Sequence, residues 1–370
     1  MATKVCHVTS LHNATDSRVF QRECKSLAKK YEVYLVAPNT EDRVLDGVHI
    51  VGVSLPGINS RVKRWMNLNK LLPVLDRIDA EVYHFHDPEL LKLGLKMKKK
   101  GKKIVFDSHE DVVNQIKNKG FIPKSIRKLI GSLYEAHERR CLKQYTAVVS
   151  VTGYIVDRLK KINPNTYQIT NYPILSDRGE IVRPWDRSVC FAGLLSRFWL
   201  LEEIIDVLPT AQAHMYMAGF YANEVYLNKL KELEGWKNVE FFGTLPHNKV
   251  LELYHKSSIG LAIESYDDPN VGYRTGSLGV TKIPDYMASG LPIIVSDSVV
   301  WGEIVRKYKC GMVVEDPENK EEILGAINYI LDHPEVAKEM SYNSKKAAEN
   351  EFNWNSQEKV LYIMYDAIIG

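Results

Sequence analysis

The sequence predicts an α/β protein made of two successive units, each a parallel sheet flanked by helices. Three observations carry this. Near-continuous apolar runs such as "KVCHVTS", "YEVYLVAP" and "PIIVSD" recur along the chain between amphipathic segments, as strands buried on both faces of a parallel sheet do. A length of 370 residues exceeds one ordinary core and fits two. The charge also changes sign partway: residues 1–170 hold 30 Lys+Arg against 17 Asp+Glu, and residues 171–370 hold 19 against 29.

The elements follow in order. The first forty residues read strand, loop, helix, strand, with Val19, Phe20, Cys24, Leu27 and Ala28 at helical spacing in "SRVFQRECKSLAKK". "VHIVGVSL", "VYHFHD", "KKIVFDSHE" and "TAVVSVT" are further strands, separated by helical segments around 61–79, 88–100 and 123–143. After "YQITNYPIL" a second series begins: "RSVCFAG", "AHMYMAG", "VEFFG", "IGLAIES", "PIIVSD" and "CGMVVE". The residue before a proline is biased to extended backbone, so Asn171–Pro173 is a natural boundary. The expected domains are 1–172 and 173–354, with a closing helix over 355–370 that starts at Asn355 or Ser356.

With 45% hydrophobic and 26% charged residues the chain can bury substantial cores, and no window approaches 18 uninterrupted apolar residues. "MATKVCHVTS" lacks the apolar stretch and cleavage site of an export signal, so the protein is expected to stay in the cytosol. Cys6, Cys24, Cys141, Cys190 and Cys310 are odd in number and scattered, which reads as core thiols rather than disulfides or a structural zinc site.

Ligands of open parallel sheets sit beyond the carboxyl ends of strands. "HVTSLHNATDSR" contains neither GxGxxG nor GxxxxGK[ST], which disfavours dinucleotide and Walker-type binding there. "VYHFHDPELL" puts His84 and His86 on one strand face with Asp87 next; without a third ligand at recognisable spacing, hydrogen bonding to neighbouring loops is favoured over a metal. In "FDSHED", His109 can donate to a sugar hydroxyl, move a proton, or serve a structural role. Asp267 and Asp268 in "SYDDPN" read as a solvated turn.

The stretch "GSLGVTKIPDYMASGLPIIVSD", residues 276–297, starts a helix just after two glycines. A helix N-terminus offers unpaired N–H groups to an anion, and Lys282 adds a mobile cation suited to a diphosphate. Asp285 can accept hydrogen bonds from a ribose diol. The plain alternative is N-capping by Thr281 or Ser277, with Pro284 tolerated in the first turn.

Together these residues resemble the GT-B glycosyltransferases, and among them family 4, across essentially the whole chain. "HVTSLHNATDSRVFQRECKSLAKKYEVYLVAPN", "HFHDPELL", "FDSHED" and "ITNYP" stand in the family's order, as in bacterial members that build surface polysaccharides such as capsule or O-antigen. "CFAGLLS", "FFGTLPHNKVLELYHKSSIGLAI" and "TKIPDYMASGLPIIVSD" look like its donor-domain segments. The resemblance implies two Rossmann-like domains facing a central cleft. It implies acceptor bound by the first, nucleotide-sugar by the second, and a C-terminal helix crossing back to the first.

Carried over residue by residue, His109 matches the histidine beside the donor sugar. Lys282 and Asp285 match the basic and acidic residues that serve diphosphate and ribose. Gly193 matches the glycine packed near the phosphates, and the turn Gly243, Thr244, Leu245, Pro246 the backbone that meets the base. His12, Asp16 and His86 fall on the acceptor side. The family's glutamate pair is replaced by Ser277 and Asp285, and two usual phosphate cations by Leu194 and Trp199, which leaves Arg197, Lys282 and Arg274 to carry the charge.

The resemblance therefore implies transfer of a sugar from a nucleotide-diphosphate donor, UDP-linked, to a glycan or lipid-linked acceptor with retention of configuration. No metal and no cofactor are expected. A second hypothesis, motivated by the replaced glutamate and cations, is a non-catalytic GT-B module that binds a nucleotide-sugar or an active transferase; a nucleotide-sugar epimerase is a third. In "SRVKRWMNLNKLLPVLDR", residues 60–77, Trp65, Leu68, Leu72 and Leu75 share a helical face among Arg61, Lys63, Arg64 and Lys70. That pattern fits either a peripheral helix on the inner, anionic membrane surface or an ordinary core helix. The basic half lacks interleaved aromatics or a reader motif, so no nucleic-acid partner is expected.

Overall fold

The computed structural model describes residues 2–57, 60–118, 123–177, 183–221, 223–268 and 273–370. They divide into two compact units. Unit 1 comprises Met1–Asn171 with Gln357–Gly370, and unit 2 comprises Tyr172–Ser356.

Unit 1 holds an eight-stranded sheet of β1 (Lys4–Val8), β2 (Glu32–Pro38), β3 (Arg43–Leu45), β4 (Val48–Val53), β5 (Val82–Phe85), β6 (Lys103–Ser108), β7 (Ala147–Ser150) and β8 (Thr166–Gln168). The order is β3-β4-β2-β1-β5-β6-β7-β8, and only β3 runs antiparallel to its neighbour. Strands β5 and β7 are buried at every position, which is why they read as unbroken apolar runs. The edge strands β3 and β8 are three residues each and carry no such run, so periodicity passes over them. The helix Val112–Asn118 is likewise not foreseen.

The helix expected over 17–30 is shorter and begins as a wide π-helical turn, Val19–Cys24, continuing over Lys25–Leu27. Asp16 causes this. Its carboxylate accepts the N–H groups of Arg18 and Val19, both at 2.8 Å, and its carbonyl accepts those of Phe20 and Gln21. The widened turn brings Arg18 and Glu23 inward, and both are buried.

Residues 60–77 form two helices, Arg61–Asn67 and Leu71–Ile78, joined by a tight turn. Their leucines cover the core of unit 1: Leu68, Leu71 and Leu75 are buried and Leu72 packs against them. The membrane-facing reading of that leucine face is overturned, because burying it against the sheet removes it from any surface. Trp65 remains exposed, while the side chain of Arg61 lies outside the described residues.

Unit 2 holds β9 (Ser188–Leu195), β10 (His214–Tyr221), β11 (Val239–Phe241), β12 (Ile259–Ala262), β13 (Ile293–Ser296) and β14 (Gly311–Val314). All are parallel, in the order β11-β10-β9-β12-β13-β14. Gly260 in β12 makes room for Tyr286, whose ring lies 2.6 Å from where a Cβ would stand. All five cysteines are buried free thiols. No helix among the described residues is long and apolar enough to cross a membrane.

The last helix, Trp354–Ile369, enters unit 1 at Gln357 and buries Leu361, Met364 and Tyr365 there. Tyr362 donates its hydroxyl to the Ser26 carbonyl at 2.8 Å, and the Tyr365 hydroxyl lies 3.0 Å from His84 Nδ1. Tyr365→Ala is expected to destabilise unit 1 by about 3–5 kcal/mol, as loss of a buried aromatic does. Ile363→Ala, at a position 62% exposed, should stay within about 0.5 kcal/mol. Chemical denaturation of the two variants checks this, and equal effects would refute the assigned packing.

Candidate active site

In unit 1 the polar residues gather at the carboxyl ends of β1, β5 and β6, around one buried ion pair. Arg18 Nε and Nη2 donate to Asp107 Oδ2 and Oδ1 at 2.7 and 3.0 Å, while Nη1 donates to the Ile169 carbonyl and Asn171 Oδ1. Burial opposes ionisation of Asp107, yet Arg18, His109 and His86 hold its carboxyl well below the usual carboxylate range. Sequence reading centred on His109 and missed its partner. Asp107 Oδ2 is 2.9 Å from His109 Nε2, which fixes the ring and leaves it one-fifth exposed at the surface.

Asp87 forms a second hub. Its Oδ2 accepts from Thr9 Oγ1 at 2.8 Å and Ser10 N at 2.6 Å, so the loop after β1 is tied to the end of β5. Glu89 accepts from Ser10 Oγ at 2.9 Å and pairs with the buried Arg64. Arg64 thus belongs to the site, not to a basic surface stripe. His12 Nδ1 is 3.2 Å from Asp16 Oδ2, and although burial opposes it, the carboxylates of Asp16 and Asp87 raise the imidazole's pKa. A cavity of about 100 Å³ is lined by Leu11, His12, Asp87, Glu89, Asp107 and His109. His86 reaches its wall, with ring nitrogens close to His7 at 2.9 Å and His109 at 3.3 Å.

His84 and His86 find hydrogen-bond partners in Tyr365 and His109, and further metal-ligating side chains also stand near them. The fold adds His7 from β1 and Glu23 from the π-helical turn, and a second donor group joins His86, Asp107 and His109. Spacing along the chain could not show this, because the ligand types come from three separate elements.

In unit 2 three glycines sit where β9, β10 and β11 end. Gly193 and Gly219 are register partners with φ +148 and +146, and a Cβ on Gly219 would lie 1.8 Å from the Gly193 carbonyl oxygen. Gly243 accepts the Gly219 N–H at 2.7 Å, and Thr244 Oγ1 reaches the Gly219 carbonyl at 3.5 Å. Leu245 packs half-buried against the core. The family resemblance names Gly193 and Gly243 and passes over Gly219.

Lys282 is the first residue of a seven-residue helix, Lys282–Ala288, and it is not a mobile cation. Its side chain is buried with Nζ 3.6 Å from the centre of the Trp199 ring and 4.8 Å from that of Phe191. A Cβ on Gly193 would lie 2.6 Å from that Nζ, so only glycine leaves space for it. Burial pushes the amine down to about 7 against the opposing pull of Glu264. Burial, together with the Asp268 carboxylate, pushes Glu264 up to about 9. Glu264 was missed because it closes an apolar strand without a motif, and Asp268 is buried beside it rather than solvated as expected.

Neither Thr281 nor Ser277 caps this helix. Thr281 makes no side-chain cap, and Ser277 Oγ accepts the Gly279 N–H at 3.0 Å within its own loop. Trp301, stacked on Trp199, donates Nε1 to the Ser277 carbonyl at 3.0 Å, and Gly276, at φ +72, packs against Ser298 and Trp301. Asp285 is half-buried one turn into the helix. Arg197 is exposed over Phe198, and Arg274 lies over Tyr266 with Asp297 at 3.9 Å.

Arg18→Met is expected to destabilise the chain by about 3–5 kcal/mol, since it strands the Asp107 charge out of water. Arg18→Met combined with Asp107→Leu should recover much of that loss in denaturant melts; an additive double variant would refute the pairing.

Known proteins resemble this chain in sequence family and fold. Residues 189–347 match the family Glycosyl transferases group 1, and residues 17–170 match Glycosyltransferase Family 4. The spore coat protein SA of Bacillus subtilis (strain 168) is 22% identical over 404 residues, covering 99% of this chain and 98% of its own. The sucrose-phosphate synthase of Thermosynechococcus elongatus superposes with a TM-score of 0.74 at 15% identity, covering 99% of each chain. Anabaena HepE, in complex with UDP and glucose, superposes with a TM-score of 0.66 at 12% identity, over 99% of this chain and 100% of its own. With one family spanning most of unit 1 and the other most of unit 2, the chain is a family 4-like glycosyltransferase of the GT-B fold.

Proposed function

We propose that unit 2 binds a UDP-linked sugar and that the chain moves this sugar, with retention, to a hydroxyl of a glycan or lipid-linked acceptor in surface-polysaccharide synthesis. The observation that carries the reading is the stowed Lys282. Among the described residues its ammonium makes no close ion pair; it rests on Trp199 beside the glycine ends of β9 and β10. HepE, a structural neighbour, is seen with UDP and glucose, and a curated relative is a spore coat protein, which supports a nucleotide-sugar donor and a surface product.

In the transfer the bond between the anomeric carbon and the diphosphate oxygen breaks, and its electron pair stays on the diphosphate. The acceptor oxygen bonds to that carbon on the same face, and its proton passes to the departing phosphate oxygen. Lys282, with Arg197 and Arg274, stabilises the charge that develops there, so no metal is needed for this step. Asp285 accepts from the ribose, Gly193 lets the phosphates approach, and the turn Gly243–Leu245 meets the base. Ser277, bound within its own loop, lines the donor pocket by its backbone. Glu264, held protonated near neutral pH, donates to a sugar hydroxyl where the family's first glutamate is missing. In unit 1, His109 serves the transferring sugar while His12, Asp16 and His86 shape the acceptor cavity.

Lys282→Ala should lower kcat/KM for the UDP-sugar by about 100- to 1000-fold with unchanged melting. In the intact chain, diphosphate binding favours the charged amine. UDP binding by calorimetry should therefore take up a proton and weaken as pH rises above about 7. Unaltered transfer by the alanine variant would sink the assignment.

We also propose that the acceptor is met at an anionic membrane surface. The support comes from the helix Lys124–Leu142, not from 60–77: Ile126, Leu129, Ile130 and Leu133 fall on one face and are all exposed. Lys128 is exposed beside them, in the half of the chain where positive charge dominates. Leu129→Glu with Leu133→Glu should abolish sedimentation with phosphatidylglycerol vesicles, and wild-type binding should fall with salt. Binding unaffected by both would refute this surface.

A further inference from the structure

We propose that His7, His84, His86 and Glu23 form a structural site for one divalent cation of the zinc class inside unit 1. One donor atom from each lies within 4.8 Å of all the others, and all four residues are buried. Ring nitrogens of His7, His84 and His86 stand 3.8, 3.9 and 4.0 Å from the same atom, Glu23 Oε2, and His7 Nδ1 is 2.9 Å from His86 Nε2. Donors bound about 2.0–2.1 Å from a tetrahedral zinc stand about 3.3 Å from one another, so the observed spacings bracket a loaded site. Small side-chain shifts complete it.

The donor chemistry points the same way. Three imidazoles and one carboxylate are ligand types that zinc takes. His86 turns Nδ1 to Asp107 Oδ2 at 3.3 Å; donating there leaves the Nε2 lone pair facing the cluster, as outer carboxylates do for metal-binding histidines. Neither oxygen of Glu23 receives a hydrogen bond, and His84 faces it with Nδ1, which also lies 3.0 Å from the Tyr365 hydroxyl. Arg18 stands 3.1 Å from Glu23 Oε1 and leaves Oε2 to the three rings.

Charge supplies the independent argument. Arg18 is one cation shared by two buried carboxylates, Asp107 and Glu23, and the neutral imidazoles add nothing. The excess negative charge must be met by a proton or by a metal. Two ring nitrogens that face each other at 2.9 Å and a carboxylate oxygen nearly equidistant from three rings favour the metal. The neighbouring group His86, Asp107, His109 is disfavoured, because Arg18 already engages both oxygens of Asp107.

Four protein ligands close the coordination shell, so this ion would hold β1, β5 and the π-helical turn together and take no part in sugar transfer. With all four residues buried, it would enter as the chain folds.

The full chain, purified without chelator or metal-affinity steps, is tested by elemental analysis and by melting. About one zinc per chain is expected. Refolding in chelator should lower Tm, and zinc should restore it. Glu23→Gln, of equal size but uncharged, should lose the metal and melt below wild type. Wild-type protein with far less than one metal per chain, melting indifferently to zinc and chelator, would overturn the proposal in favour of a proton on Glu23. So would a Glu23→Gln variant as stable as wild type, since a protonated glutamate loses little on becoming an amide.

Discussion

A guanidinium held away from water governs the layout of unit 1. Arg18 is about 4% exposed, and such a charge persists in a core only when its donors are matched. Asp107 meets two of them from β6, and the segment after β8 meets others through Ile169 and Asn171. One side chain thus links the first loop to two strands on the far side of the sheet. His109 is positioned by the same carboxylate, so the exposed imidazole inherits its orientation from an interior pair. The wide turn that Asp16 imposes is what points Arg18 and Glu23 toward the sheet at all.

Unit 2 solves the opposite problem, burying a cation without a carboxylate at its tip. An aromatic face attracts an ammonium weakly and without competing for its hydrogen bonds. Trp199 plays that part for Lys282, and Trp301 stacks behind it while anchoring the Ser277 carbonyl. The loop that carries two glycines is therefore shaped from beneath by indole rings. The cost of holding Lys282 out of water is visible in its lowered basicity.

Most of the fold was legible because a parallel sheet writes itself as apolar runs, and twelve of the strands stand where those runs fall. The two short edge strands, and the π-helical turn, were not. Their cause lies in single polar contacts, such as Asp16 receiving several N–H groups, that leave no periodic trace. In the candidate site, His109 could be named from its place at a strand end, and Gly193 and Gly243 from the family resemblance. Asp107, Glu264, Gly219 and the cluster around Glu23 could not, since each matters through a neighbour distant in sequence. The face of 60–77 shows the limit of amphipathicity: a leucine stripe flanked by arginines is the same pattern whether it meets lipid or a sheet.

The return of the chain to unit 1 at Gln357 has a consequence for its synthesis. Unit 2 is encoded without interruption, so it can fold as soon as it clears the ribosome. Unit 1, although translated first, waits with the pocket for Leu361, Met364 and Tyr365 unfilled until the final helix emerges. Of the two units, the one begun first is then the one completed second, and until that helix docks its core stands open to solvent.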